Sequence, residues 1–577
     1  MPEPTIIRGS EHFFTNIYEG NGGGQRVGKF VPFTDNGTIA KSCIFEDGDE
    51  PELSRTPSGA GNRDTFTLSF WIKRSNIGTL QLIYQQGADV NNCTQFSFDS
   101  SDRLQYQQVD GGGNTDSLIS NRTFEDTSKF YHIVLAVDTT QSTEANRVRM
   151  YVDGDEITSW STANYPSQNT DTDMNTTTEF SIGRQLGATS AYSPDCYLAE
   201  VNYVDGTQYT PSTFGLTDTS TGRWIPKSLT GISYGTNGFR LEFANSAGQT
   251  IGDDTSGNGN DFTVSNIATT DLTTDSPTQN HATLSPLRTA GSLSLSEGNL
   301  KITGTGGSAY GKAATDKEFP SDISTGLYWE YTDCANGFEG GVIKATKGKP
   351  QSTAGETDGI IIQRRGGGGG NTYWVQKDDS SSIYNDTGVS ASDGQTISVA
   401  VKSGKIWFAI NNTWVLSGDP AAGTNPAGEL DPTDYFAMLS VYGTVNMTAN
   451  FGQKSFQYTP PTGFVAYQQD NFPETGKGIP DFVWIKNRDA TDSHQLYDSS
   501  RGPLLDIHSD SSVSESTTTD GLQKFLKGGC QIEDDVSVNT SGESYVAWNW
   551  VANGGTTSAN TDGSGATIAS TIQANQT

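Results

Sequence analysis

The stretch from Gln395 to Leu416, QTISVAVKSGKIWFAINNTWVL, constrains the fold most, because local signals alone write three strands and two tight turns into it. Ile397, Val399 and Val401 alternate with Ser398, Ala400 and Lys402, Ser403-Gly404 turns the chain, and Ile406, Phe408 and Ile410 share a face of the return strand. Asn411-Asn412, which adopt positive φ at little cost, turn it again before Trp414 and Leu416. The pattern predicts an antiparallel meander with one buried face. An echo lies upstream, where YHIVLAVD (Tyr131 to Asp138) is followed by RVRMYVDGDEI (Arg147 to Ile157) with Asp153-Gly154 at the hairpin turn. A meander of this size is not stable alone, so each copy predicts a β domain built around it.

A chain of 577 residues has room for three or four domains at about 150 residues each. With 66 glycines, 33% hydrophobic residues and no long apolar stripe of helical period, it is expected to be all-β, as tandem antiparallel sandwiches of jelly-roll type with little helix. The expected divisions are an attachment segment at 1–40, a sandwich at 41–215, a connector at 216–290, a second sandwich at 291–467, and a β module at 468–577 ending in a Gly/Ser/Thr-rich tail. The net charge of −31 is spread along the chain and repels phosphate backbones and anionic membrane surfaces, so nucleic acid is not an expected partner. MPEPTIIRGSEHFF lacks a basic stretch followed by an apolar one, and no apolar run approaches about 18 residues, so neither export by a signal peptide nor membrane insertion is expected. Cys43, Cys93, Cys196, Cys334 and Cys530 lie far apart without metal spacing and read as buried thiols.

FTLSFWIKR (Phe66 to Arg74), RVRMYVDGDEI, FSIGR and LAEVNYVDG, in that order, resemble the laminin-G-like, concanavalin-A-like jelly roll across about residues 41 to 215. GLYWE, GGVI, GKIWFAINNTW and NFGQKSFQYTPPTGF resemble the SPRY-type sandwich, and the loop SGDPAAGTNPAG (Ser417 to Gly428) is similar to the version in tailed-bacteriophage fibre-like proteins. The resemblance implies a virion fibre protein of tail or capsid, with no catalytic activity. Its N-terminal segment would attach to other virion proteins, its sandwiches would meet host-surface glycan or receptor, and the assembly would be a homotrimer. A polysaccharide-degrading enzyme and a bacterial surface adhesin are the alternatives.

A glucanase of this fold needs two carboxylates on one face of a strand, at i and i+2 or i+4. Asp153 and Asp155 have that spacing but flank the glycine of a turn, and Glu330 and Asp333 should face opposite ways. The five histidines are dispersed, and Gly366 to Gly370 lacks the lysine and helix of a phosphate loop. Tyr373, Trp374 and Trp414 are candidates for stacking on sugar at a sandwich rim, whereas Trp407 and Trp550, inside strand patterns, are expected in the core. Asp253, Asp254, Ser256, Asn258, Asn260 and Asp261 bring six oxygen donors close in sequence, as calcium prefers, although Ser265 stands where an EF-hand needs glutamate. No other cofactor is expected.

Overall fold

The computed structural model describes residues 37–551 except 188–191, 219–220, 245–248, 307–308, 336, 353–357, 366–371, 378–383, 473–478 and 541, and beyond 551 the strands Thr557–Ala559 and Thr571–Gln573. Most of the 1–40 attachment segment, the Gly366 to Gly370 run and most of the C-terminal tail therefore lie outside the described residues. The chain is nearly all-β, and its one described α-helix is Val536–Asn539.

The first sandwich has two sheets. One runs Asp155–Glu156, Val148–Val152, Tyr131–Asp138, Thr65–Arg74, Cys196–Asp205, Ser42–Phe45, Leu272–Thr273, with Phe239–Leu241 added on Cys196–Asp205; the other contains Gly113–Thr123, Arg103–Asp110, Asn92–Phe98, Gln81–Asp89 and Glu179–Ile182 as neighbours. Alternation decides the packing: Phe66, Leu68, Phe70 and Ile72 project from the first sheet onto Tyr84, Phe96, Tyr106 and Leu118 of the second. The expected connector at 216–290 is not a linker. Phe239–Leu241, Thr263–Ser265 and Leu272–Thr273 complete both sheets, and Phe239, Leu241 and Phe262 enter the core, so the sandwich continues to residue 273.

The chain around 205–239 also covers the sheet's outer face, where Val134, Ala136, Tyr151 and Val204 pack against Phe214 and Tyr234. Trp224 closes this cover. A Cβ at Gly154 would lie 2.6 Å from its ring and one at Gly215 2.5 Å, so only glycines leave room for it. Its indole N–H donates to His132 Nδ1 at 3.0 Å, leaving His132 Nε2 to donate to Ser69 Oγ at 2.9 Å.

The meander appears in the second sandwich as Gln395–Lys402, Lys405–Ile410 and Thr413–Trp414. Both turns have left-handed central residues, Ser403 at φ 48° with Gly404 at 76°, and Asn411 at 45° with Asn412 at 65°, as two-residue hairpins require. Ile397, Val399, Val401, Ile406, Phe408 and Ile410 enter one core. The expectation of a single buried face fails, because Ala400 and Trp407 on the opposite face pack under Tyr328 and Phe464. Phe464–Ala466 pairs in parallel with Gly326–Cys334, carrying the end of the sandwich back across that face. Trp407 also donates to the carbonyl of Thr424, which ties the Ser417 to Gly428 loop to the sheet.

The modules are not strung end to end. Lys73 of the first sandwich, 1% exposed, donates to Asp275 Oδ2 at 3.0 Å, to Asn280 Oδ1 and to the carbonyl of His281 at the entrance to the second. Tyr197 donates to the carbonyl of Gly298, and Lys317 Nζ to that of Ser128. The third module then returns to the first: Arg122 meets Glu533 at 2.6 Å, Lys524 meets Asp155 at 2.7 Å, and Lys527 N donates to Thr221 O. Buried charges survive at such seams only when paired and hydrogen-bonded, as Lys73 is.

Candidate functional site

The third module has a five-stranded sheet, in the order Ser516–Thr517, Gly502–His508, Gln495–Asp498, Phe482–Asn487, Tyr545–Trp550, and a separate hairpin of Leu522–Leu526 with Gly529–Ile532. Val483 and Ile485 point to a small core with Tyr497, Leu522 and Val538. Period-two alternation sends Phe482 and Trp484 to the other face, and the register Phe482↔Trp550, Trp484↔Trp548 places two more tryptophans beside them. The ring centroids lie 5.3 Å apart in both pairs. Trp548 is 42% and Trp550 44% exposed. Trp484 is held by its indole N–H, which donates to His494 Nδ1 at 2.9 Å. Four rings in two cross-strand rows, tilted by 46° and 56° within each pair, form an aromatic platform on which Trp548 and Trp550 are exposed among the described residues, and the expectation that Trp550 lies in a core is corrected. Such a surface offers CH faces of sugars, or another apolar partner, a rigid stacking area at low entropic cost.

The sugar-stacking candidates from sequence fare differently. Tyr373 is fully buried beside Phe338 and cannot stack on a ligand, because strand alternation turns it into the core. Its neighbour Trp374 faces the other way, is half-buried, and donates to Thr372 Oγ1 at 3.0 Å. Trp414, half-buried on the other sheet of the sandwich, packs against the Trp407 cluster, so the three do not form one site.

The 253–261 loop spends its oxygens internally. Asp254 accepts from the amides of Arg240, Ser256 and Asn260 and from Ser256 Oγ, Asp253 from Thr250, and Asp261 from the amide of Asp254. Asn258 and Asn260 donate to carbonyls of 235–238, and Asn260 Oδ1 accepts from Arg55. These hydrogen bonds build a turn that locks the loop to the sandwich, and its three carboxylates do not converge as a metal site.

Among other acids, Glu330 accepts from Tyr328 and the amides of Gln457 and Tyr458, Glu200 pairs with Arg240 at 2.5 Å, and Glu339 with Lys312 at 2.6 Å. A cleft of about 660 Å³ opens where the three modules meet, with Trp71, Lys129, Asp153, Arg223, Trp224 and Lys524 in its wall. Burial works to raise Asp153, but Lys129 and Lys524 outweigh it and hold the carboxyl below its usual range. It is poised to stay charged, not to deliver a proton.

The tryptophan rows were missed in the sequence although FVW and WNW carry their i, i+2 spacing; their pairing across the sheet is a long-range fact.

A family model described as the concanavalin A-like lectin/glucanases superfamily matches residues 52–207, and a domain of unknown function, DUF7483, matches residues 465–577. No curated protein matches the chain. Among solved structures, domains LG4–5 of the mouse laminin α1 chain are similar over 74% of this chain and 96% of that one, at 12% identity and a TM-score of 0.25. A heptameric SAP-like pentraxin from Limulus polyphemus is similar over 30% and 80%, at 16% identity and 0.23. A human SPRY domain is similar over 27% and 93%, at 9% identity and 0.19. Residues 52–207 thus match a concanavalin A-like β-sandwich.

Proposed function

We propose that this protein is a non-enzymatic fibre protein of a tailed-phage virion, in which two lashed sandwiches form a stiff scaffold and the third module presents a glycan-binding face. The observation that carries the binding half is the platform of Phe482, Trp484, Trp548 and Trp550, whose Trp548 and Trp550 are exposed while most other large aromatics among the described residues are at least half-buried. Hydrogen bonds and ion pairs engage Glu330, Glu200 and Glu339, the strand carboxylates that a glycosidase would use, which supports the binding reading. The virion half rests on the resemblance of Ser417 to Gly428 and its neighbours to phage fibre-like chains. Residues 1–40 attach the chain to other virion proteins, and the working form is a homotrimer.

Particles assembled with and without residues 1–40 test the attachment: loss of the protein from purified virions is expected, and unchanged incorporation contradicts the assignment. Incubating the protein with host-surface polysaccharide separates binding from catalysis. Retention without new reducing ends is expected, and turnover abolished by one carboxylate substitution would replace this reading with a hydrolase.

A further inference from the structure

Outside the platform, a cluster of three carboxylates lies without a partner cation among the described residues. At the seam between the sandwiches, carboxylate oxygens of Glu46, Asp47 and Asp195 all lie within 4.8 Å of one another. None of the three forms an ion pair with a described residue. Asp195 is held in place by the amide of Asp47 at 2.7 Å and by Asn76 Nδ2 at 3.1 Å, which use one lone pair on each oxygen and leave others free. Glu46 accepts from backbone amides of the second sandwich, a long 3.4 Å contact from Gly298 and one from Glu297.

A second observation points the same way. Glu46 and Asp195 line a cavity of about 300 Å³ whose opposite wall is Leu293 to Ser296 and Asn299 of the second sandwich. Ser75 lines this cavity too. It is only 5% exposed, and its hydroxyl oxygen is buried without a hydrogen-bond partner. A buried hydroxyl without a partner is costly unless something fills its lone pair. Its backbone is fixed on both sides, the amide donating to Asp195 O and the carbonyl accepting from Asn299 Nδ2 at 2.7 Å.

We propose that this pocket binds a calcium ion, with Glu46, Asp47 and Asp195 supplying carboxylate oxygens and Ser75 Oγ a neutral one, and that the ion clamps the first sandwich to the second. Calcium takes six to eight oxygens at about 2.3–2.6 Å, so one ion reaches oxygens that are mutually within 4.8 Å, and water fills the remaining positions. Magnesium, which demands shorter and near-octahedral ligation, fits a mixed and partly open set less well.

The test is calorimetric titration of the full, chelator-stripped chain with calcium chloride, paired with thermal unfolding. Wild type is expected to show one saturable site at or below about 1 mM and a higher melting temperature with calcium. Asp47→Asn, at an exposed residue where folding is not at risk, combined with Glu46→Gln should weaken that site at least tenfold. Ser75→Ala should weaken it less, and Asp254→Asn, in the 253–261 loop, should leave it unchanged. Absence of binding in wild type overturns the proposal. So does wild-type affinity in the Asp47→Asn/Glu46→Gln chain, or loss of the site in Asp254→Asn. Magnesium at equal concentration should not reproduce the shift.

Discussion

Trp407 and Trp550 sit in the same local pattern, a tryptophan within an alternating β-strand, yet one is 1% and the other 44% exposed. Trp407 belongs to a sandwich whose chain returns over the sheet's outer face and lays Phe464 on it; Trp550 belongs to a five-stranded sheet with nothing laid on that side among the described residues. Alternation decides which residues share a face. Coverage by distant chain decides whether that face is core or site.

Removing one tryptophan from each side puts the contrast at greatest risk. Trp407→Ala should cost about 3–5 kcal/mol of stability in denaturant titrations, whereas Trp550→Ala should cost about 0.5 kcal/mol or less. Similar losses in the two variants would mean that both faces are covered. Next comes the seam. Lys73→Met leaves Asp275, itself fully buried, without its cation and should cost about 3–5 kcal/mol, read as separate melting of the two sandwiches in calorimetry. A single unshifted transition would place the joint's strength elsewhere.

A milder intrusion sharpens the comparison on the first sandwich. Gly154→Ala sets a Cβ against Trp224 at a left-handed position, φ 90°, and should cost about 1–3 kcal/mol while loosening the cover, visible as a red shift in tryptophan emission. Under the same cover, burial pushes His132 down to about 3, outweighing Asp153. The unfolded chain protonates this imidazole near 6.5 while the folded site refuses the proton. The contribution is therefore complete above about 6.5 and is lost as pH falls toward 3, at about 1.4 kcal/mol per unit. His132→Gln should flatten that part of the pH–stability curve, and parallel curves would show that His132 titrates freely in the fold.

Much of the fold was legible. Ser403-Gly404, Asn411-Asn412 and Asp153-Gly154 named their turns, because few residues adopt left-handed φ cheaply, and the apolar faces of Thr65–Arg74 and Gln395–Lys402 followed from alternation. The strands at 239–241, 263–265 and 272–273 were hidden, since two or three residues carry no periodicity and their pairing is long-range. Of the candidate site, the ring spacing was visible in FVW and WNW, but its openness depends on what the rest of the chain fails to cover. Tyr373 was misread for the complementary reason: a glycine run beside it suggested a rim, while its strand parity placed it inside.

In the proposed function the uncovered aromatic face binds and the covered sandwiches support it. The most direct measurement is the affinity of the full chain for host-surface polysaccharide, compared between wild type and Trp548→Ala/Trp550→Ala at matched melting temperature. At least a tenfold loss, about 1.4 kcal/mol, is predicted with the fold intact; undiminished binding by the double variant would contradict the account.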